Sequence, residues 1–175
     1  REEKIFYETE EGTLIAREID RGEGHNNWKE ELFFKTEKDY PLLKSFLEDI
    51  DFKDQCGAVG KSLAMADGDC IPRGKLDYSP MHYLIYNIFG IYEFSMQWND
   101  NKKRVLELYE ILREKRRTLY PLAARSPQPL INICGNVSAN VISPEMFRKY
   151  YIPEYNEAAE ALHAAGKLVG VHFDG

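Results

Sequence analysis

Three short stretches carry the residue types that could do chemistry. The last is "VHFDG", residues 171–175, where His172 and Asp174 stand two apart. On a β-strand that spacing turns both side chains to one face. An imidazole beside a carboxylate can share a metal ion or work as a proton-transfer couple. The second stretch, "ICGNVSAN" at 133–140, offers the Cys134 thiol, the Asn136 and Asn140 amides and the Ser138 hydroxyl. The third, "DGD" at 67–69, pairs Asp67 with Asp69. Together these groups could bind a metal or perform acid–base work on a polar substrate. Each also has a plainer role. Asp67 and Asp69 around Gly68 suit a turn. Cys134 suits a small buried apolar site. His172, between Val171 and Phe173, could be a satisfied core histidine, but its place at the end of an apolar run favours function.

The elements that must position these groups follow from pattern. "KIFYETEEGTLIAREI", residues 4–19, predicts two strands around a turn at Gly12. Residues 20–27, which include His25, predict a loop, and Trp28 to Phe34 a further extended segment. Thr36 with Asp39 three residues on predicts a capped start to an amphipathic helix over 37–50. Residues 61–67 and 129–134 predict short buried strands, and 167–173 a third. Between them, Ser79–Pro80 and Ser143–Pro144 open helices. A second helix covers 91–98, and a long one runs from Asn99 or Asp100 to about Tyr120, closed by Pro121. Pro153 predicts a break near Tyr151 and Ile152, and Gly166 the C-terminal stop of that helix. Strands alternating with helices from residue 61 onward predict parallel βα units, with an open doubly wound sheet as the alternative to a barrel. In such folds ligands lie outside the carboxyl ends of the strands. All three chemical stretches fall at predicted strand ends.

Composition excludes several classes. Net charge is −6, which argues against wrapping a nucleic-acid backbone; the basic run Arg113–Arg117 is interrupted by Glu114 and reads as a solvated helix face. No apolar run approaches the roughly 20 residues of a membrane span. Three widely spaced cysteines (Cys56, Cys70, Cys134) form neither a disulfide framework nor a CxxC motif, which points to a reducing, cytoplasmic compartment. The apolar run "KLVGVHF" reaches the end of the sequence without the crossover helix a buried parallel strand requires, so a longer parent chain and an exposed, self-associating sheet edge are expected.

Several segments resemble one known family. "YETEEGTL" and "FKTEKDYPLLKSFL" are similar to its strand-turn-strand element and the charged helix start that follows. "SPMHYLIYNIFG" resembles a helix after one of its barrel strands. The most specific segment is "NVISPEMFRKYYIPEYNEAAEALHAAGKLVGVHFDG". It resembles the uroporphyrinogen decarboxylase superfamily, which includes the decarboxylases and related corrinoid methyltransferases. The resemblance implies an α/β fold that is part of a (β/α)8 TIM barrel. Residues 1–35 would form a β-hairpin and the lead into the barrel, and 36–175 successive βα units of a single partial domain.

Under the resemblance Tyr86 falls on the decarboxylases' substrate tyrosine, and His172 on the histidine of the methyltransferases' His-x-Cys zinc motif. Asp174 stands where that motif has cysteine, and Val137, beside Ser138, where the decarboxylases carry a serine. The expected activity is a zinc- and corrinoid-linked methyl transfer, with His172, Asp174 and Cys134 as metal ligands and a corrinoid carried by a partner protein. Tyr86, His172, Asp174, Asp67 and Asp69 would be catalytic, and Asn136 and Ser138 would contact the cofactor. The alternatives are a metal-free decarboxylase acting on a tetrapyrrole and a non-catalytic binding domain.

Overall fold

The computed structural model describes residues 2–19, 28–65, 68 and 71–174. The expected loop at 20–27 with His25, and the carboxylates Asp67 and Asp69, lie outside them. The chain divides into two compact units, Arg1–Ile50 with Leu84–Leu112, and Asp51–Tyr83 with Arg113–Gly175.

In the first unit, strands β1 (Glu2–Thr9), β2 (Gly12–Ile19) and β3 (Trp28–Glu31) form an antiparallel sheet in that order. The hairpin turns between Thr9 and Gly12, and Gly12 takes a positive φ of 152°. Leu14 and Ala16 are buried on one face, where helix α1 (Tyr40–Glu48) contributes Leu43 and Leu47. The cap forms as the sequence predicts. Thr36 accepts from Lys38 N–H, and Asp39 accepts from the Thr36 N–H at 2.8 Å. It opens a short 3-10 turn before α1 rather than a single helix over 37–50. A π-helical stretch Leu84–Phe89 and helix α4 (Ile91–Asp100) complete this core, with Phe34 and Phe89 rings 4.8 Å apart.

The second unit holds a parallel sheet, β4 (Arg73–Leu76), β5 (Leu130–Val137) and β6 (Leu168–Phe173), ordered β4-β5-β6. This is an α/β layer; among the described residues no barrel closes. Its first strand corrects the sequence expectation. Residues 61–65 of the expected strand are helical instead: helix α2 spans Cys56–Met65, with the Asp54 carboxylate accepting the Cys56 N–H at 2.8 Å. A short apolar run does not separate strand from buried helix, and Ala, Lys, Leu and Met here favour helix. The true strand lies in the segment expected to be a loop. Gly74 disguises it, because a Cβ there would meet Ile131 Cδ1 at 2.6 Å. A glycine in a strand marks such close approach.

Pairing fixes the faces of this sheet. Leu76 pairs with Ile133, and Ile131 and Ile133 pair with Val169 and Val171. These side chains share one face, which packs toward the helices. Helix α8 (Ile152–His163) buries Ala158 and Leu162 completely or nearly so. Alternation turns Arg73, Lys75, Asn132, Cys134 and His172 to the opposite face, where all are exposed or half-buried.

Helix boundaries follow local chemistry. Helix α3 (Pro80–Tyr83) opens with the Tyr83 N–H bonded to the Ser79 carbonyl at 2.8 Å. Helix α7 (Pro144–Met146) starts at Ser143, whose hydroxyl accepts from the Met146 N–H at 3.1 Å. The break expected from Pro153 is a π-helical turn, Phe147–Tyr151, before α8. Gly166 (φ 72°) ends α8 in a Schellman motif: Lys167 N–H bonds Leu162 O at 3.0 Å and Gly166 N–H bonds His163 O at 2.9 Å. The expected long helix is instead α5 (Lys102–Arg117) followed by α6 (Leu119–Arg125). Pro121 sits in the first turn of α6, where a missing N–H costs little, and does not close a helix. Among the described residues no helix is long and apolar enough to cross a membrane.

Candidate functional site

The site is built where β5 and β6 end. Their register runs from Ile133↔Val171 to Val137↔Phe173, so β5 spends four residues where β6 spends two. The excess is a bulge at Cys134–Asn136, which takes the Gly135–Asn136 peptide out of the ladder. Its carbonyl and N–H then need other partners. Two imidazoles supply them. His172 Nδ1 lies 2.6 Å from the Gly135 carbonyl, and the Asn136 N–H donates to His82 Nε2 at 3.1 Å. The ladder closes again beyond the bulge, with Asp174 N–H on the Val137 carbonyl at 3.0 Å.

These partners dictate both tautomers. A carbonyl oxygen only accepts, so His172 carries a hydrogen on Nδ1, and in the neutral ring its Nε2 is bare. A backbone N–H only donates, so His82 Nε2 is bare and its hydrogen is on Nδ1, 3.2 Å from the Tyr151 hydroxyl. His82 and Tyr151 are both fully buried. Burial pushes the His82 pKa down to about 4, against a smaller upward pull from the Asp174 carboxylate, so this imidazole is neutral at pH 7.

His172 Nε2 faces Asp174 Oδ1 at 3.4 Å, with both side chains about half exposed. Phe173 points the other way, its ring edge-on to Phe147 at 5.9 Å and Tyr155 at 6.2 Å. The Nε2–Oδ1 distance is long for an N–H···O bond, which falls in the range of about 2.7–3.2 Å. A bare Nε2 and a carboxylate are two acceptors, and a cation between them satisfies both. Two ligands of a tetrahedral zinc with bonds of about 2.0–2.1 Å lie about 3.3–3.4 Å apart. The pair therefore fits one edge of such a site.

The remaining expected site residues are placed as follows. Asn136 contributes its backbone N–H, while its side chain is exposed. Ser138 follows the end of β5, half-buried, and its carbonyl starts the turn to Ile142. Cys134 is half-buried on the same sheet face as His172. Among the described residues no group of three or more His, Cys, Asp or Glu could hold a metal. Asp67 and Asp69 lie outside the described residues; residues 56–65 before them are helical, and the carboxylate that directly follows β4 is Asp77. Tyr86 belongs to the π-helical stretch of the first unit.

The residue that sequence reasoning missed is His82. The signal was present: "MHYLIYNIF" places His82 on the apolar stripe with Ile85 and Phe89, so a buried imidazole had to find polar partners. No family model, curated protein or solved structure matches this chain.

Proposed function

We propose that the chain is part of a (β/α)8 barrel enzyme of the uroporphyrinogen decarboxylase superfamily type, cytoplasmic, with a zinc- and corrinoid-linked methyltransferase activity at the carboxyl ends of its strands. The observation that carries this is His172 Nε2 facing Asp174 Oδ1 at 3.4 Å, a separation suited to two ligands of one zinc ion. The sequential parallel order β4-β5-β6 and the polar face of that sheet support a barrel interior that receives a substrate.

His172 and Asp174 would hold two of the four tetrahedral positions. Zinc bound there would keep a substrate thiol in its thiolate form at neutral pH, ready to accept a methyl group from a corrinoid on a partner protein. The protein's own groups do the positioning. The Gly135 carbonyl orients the His172 ring, and the Val137 carbonyl fixes the Asp174 backbone. Asn136 and Ser138 border the pair as polar contacts for the incoming ligand.

The test is methyl transfer from methylcobalamin to a small alkyl thiol by the zinc-loaded protein, followed by corrinoid absorbance. Turnover that is lost in His172→Ala, with the fold retained by circular dichroism, is the expected result. Turnover undiminished in the variant, or equal without zinc, overturns it. Decarboxylation of a tetrapyrrole by the metal-free protein would assign the chain to the other branch of the resemblance.

A further inference from the structure

We propose that His82 is a positioning residue for His172, acting through the single peptide group between Gly135 and Asn136. The peptide's N–H end is held by His82 Nε2 at 3.1 Å, and its carbonyl end by His172 Nδ1–H at 2.6 Å. Its consequence for metal binding rests on the function proposed above; the positioning itself does not.

A peptide group cannot exchange its donor and acceptor ends. It therefore imposes one direction on the whole chain of bonds. His172 Nδ1–H donates to the carbonyl, the N–H donates to His82 Nε2, and His82 Nδ1–H is left facing the Tyr151 hydroxyl at 3.2 Å. Bonds aligned in this way polarise one another. His82 itself has little freedom. It lies in the first turn after Ser79 on α3, fully buried, with the rings of Tyr78 and Tyr151 edge-on at 5.1 and 6.0 Å. A fixed imidazole thus fixes a peptide plane in a bulge, where no ladder partner would hold it. That plane in turn aims the Gly135 carbonyl at His172.

The result is a His172 whose Nε2 is kept free of hydrogen. In water the Nε2–H tautomer of histidine is the favoured one, and it would block the atom that faces Asp174. Without an acceptor at position 82 the Asn136 N–H loses its partner, the peptide is free to rotate, and His172 is released to that tautomer.

The measurement is a long-range proton–nitrogen NMR spectrum of the imidazoles in the metal-free, full-length chain at neutral pH. In the unaltered protein His82 and His172 should both appear as Nδ1–H tautomers, with a coupling across the hydrogen bond from Asn136 N to His82 Nε2. In His82→Phe, which keeps a ring but removes the acceptor, His172 should change to mainly Nε2–H. His82→Gln, whose side-chain carbonyl can accept from Asn136, should retain Nδ1–H. His82→Met is the second acceptor-poor variant should phenylalanine not fold, and it should behave as His82→Phe does. A wild-type His172 that carries its hydrogen on Nε2, an absent coupling, or a folded Phe or Met variant with His172 unchanged overturns the proposal. Because no zinc is present, a protein that shows the tautomer switch yet never binds zinc would remove the methyltransferase reading and leave this inference standing.

Discussion

Protonating His82 would place a hydrogen on Nε2, against the Asn136 N–H that already points there, in a position without solvent. Its folded pKa of about 4 lies below the ordinary 6.5, so the unfolded chain takes up the proton first as pH falls. The stabilisation is complete above about pH 6.5, declines below it, and is gone below about pH 4, a loss of about 3 kcal/mol. Denaturant unfolding at pH 7 and pH 4 should show His82→Gln losing less stability on acidification than the wild type by about that amount. Parallel losses would contradict it. A buried carboxylate makes a separate prediction. Glu154 is 2% exposed and lies 2.8 Å from Arg113 Nε. Glu154→Ala should cost about 1–2 kcal/mol in urea unfolding, because it removes the buried carboxylate against Arg113 Nε while Glu157 at 3.4 Å still pairs with the guanidinium. At this scale the sequence displayed His172 and Asp174 plainly, since two residues on one strand share a face by local geometry. It hid the role of His82, whose partner peptide is 54 residues away and exists only once β5 bulges.

Helix ends were the most legible elements. Thr36 with Asp39, Ser143 with Pro144, and Gly166 all act on backbone groups within four residues, so their chemistry is written locally. Gly166 allows a clean check. A Cβ there would meet nothing within 4 Å, so Gly166→Ala isolates the cost of φ 72°. It should destabilise by about 1 kcal/mol in denaturant unfolding; no change would mean that the motif does not hold the end of α8. Strands were less legible. β4 exists because its backbone pairs with β5, and Gly74 gives no propensity signal for it. The apolar stretch at 61–65 had the composition of either element, and its helix starts where the Asp54 carboxylate accepts the Cys56 N–H.

Over the whole molecule, the parallel α/β layer was legible from alternating strands and helices, whereas its division into two units was not. Among the described residues β6 has no partner on its outer edge, and Leu168 and Phe173 are 66% and 53% exposed. Unprotected edges with exposed apolar side chains associate. Sedimentation of this chain should show concentration-dependent association that Leu168→Lys reduces, while a clean monomer at all concentrations would contradict that. The central claim is that β6 delivers a metal-binding pair to the strand ends, and a zinc titration tests it most directly. Metal-stripped wild type, His172→Ala and Asp174→Ala would each compete with a chromophoric chelator for zinc. Wild-type binding of one zinc, weakened at least about tenfold in each variant with the fold retained, is the predicted result. No zinc uptake by the folded wild type, or equal affinity in all three proteins, would contradict it.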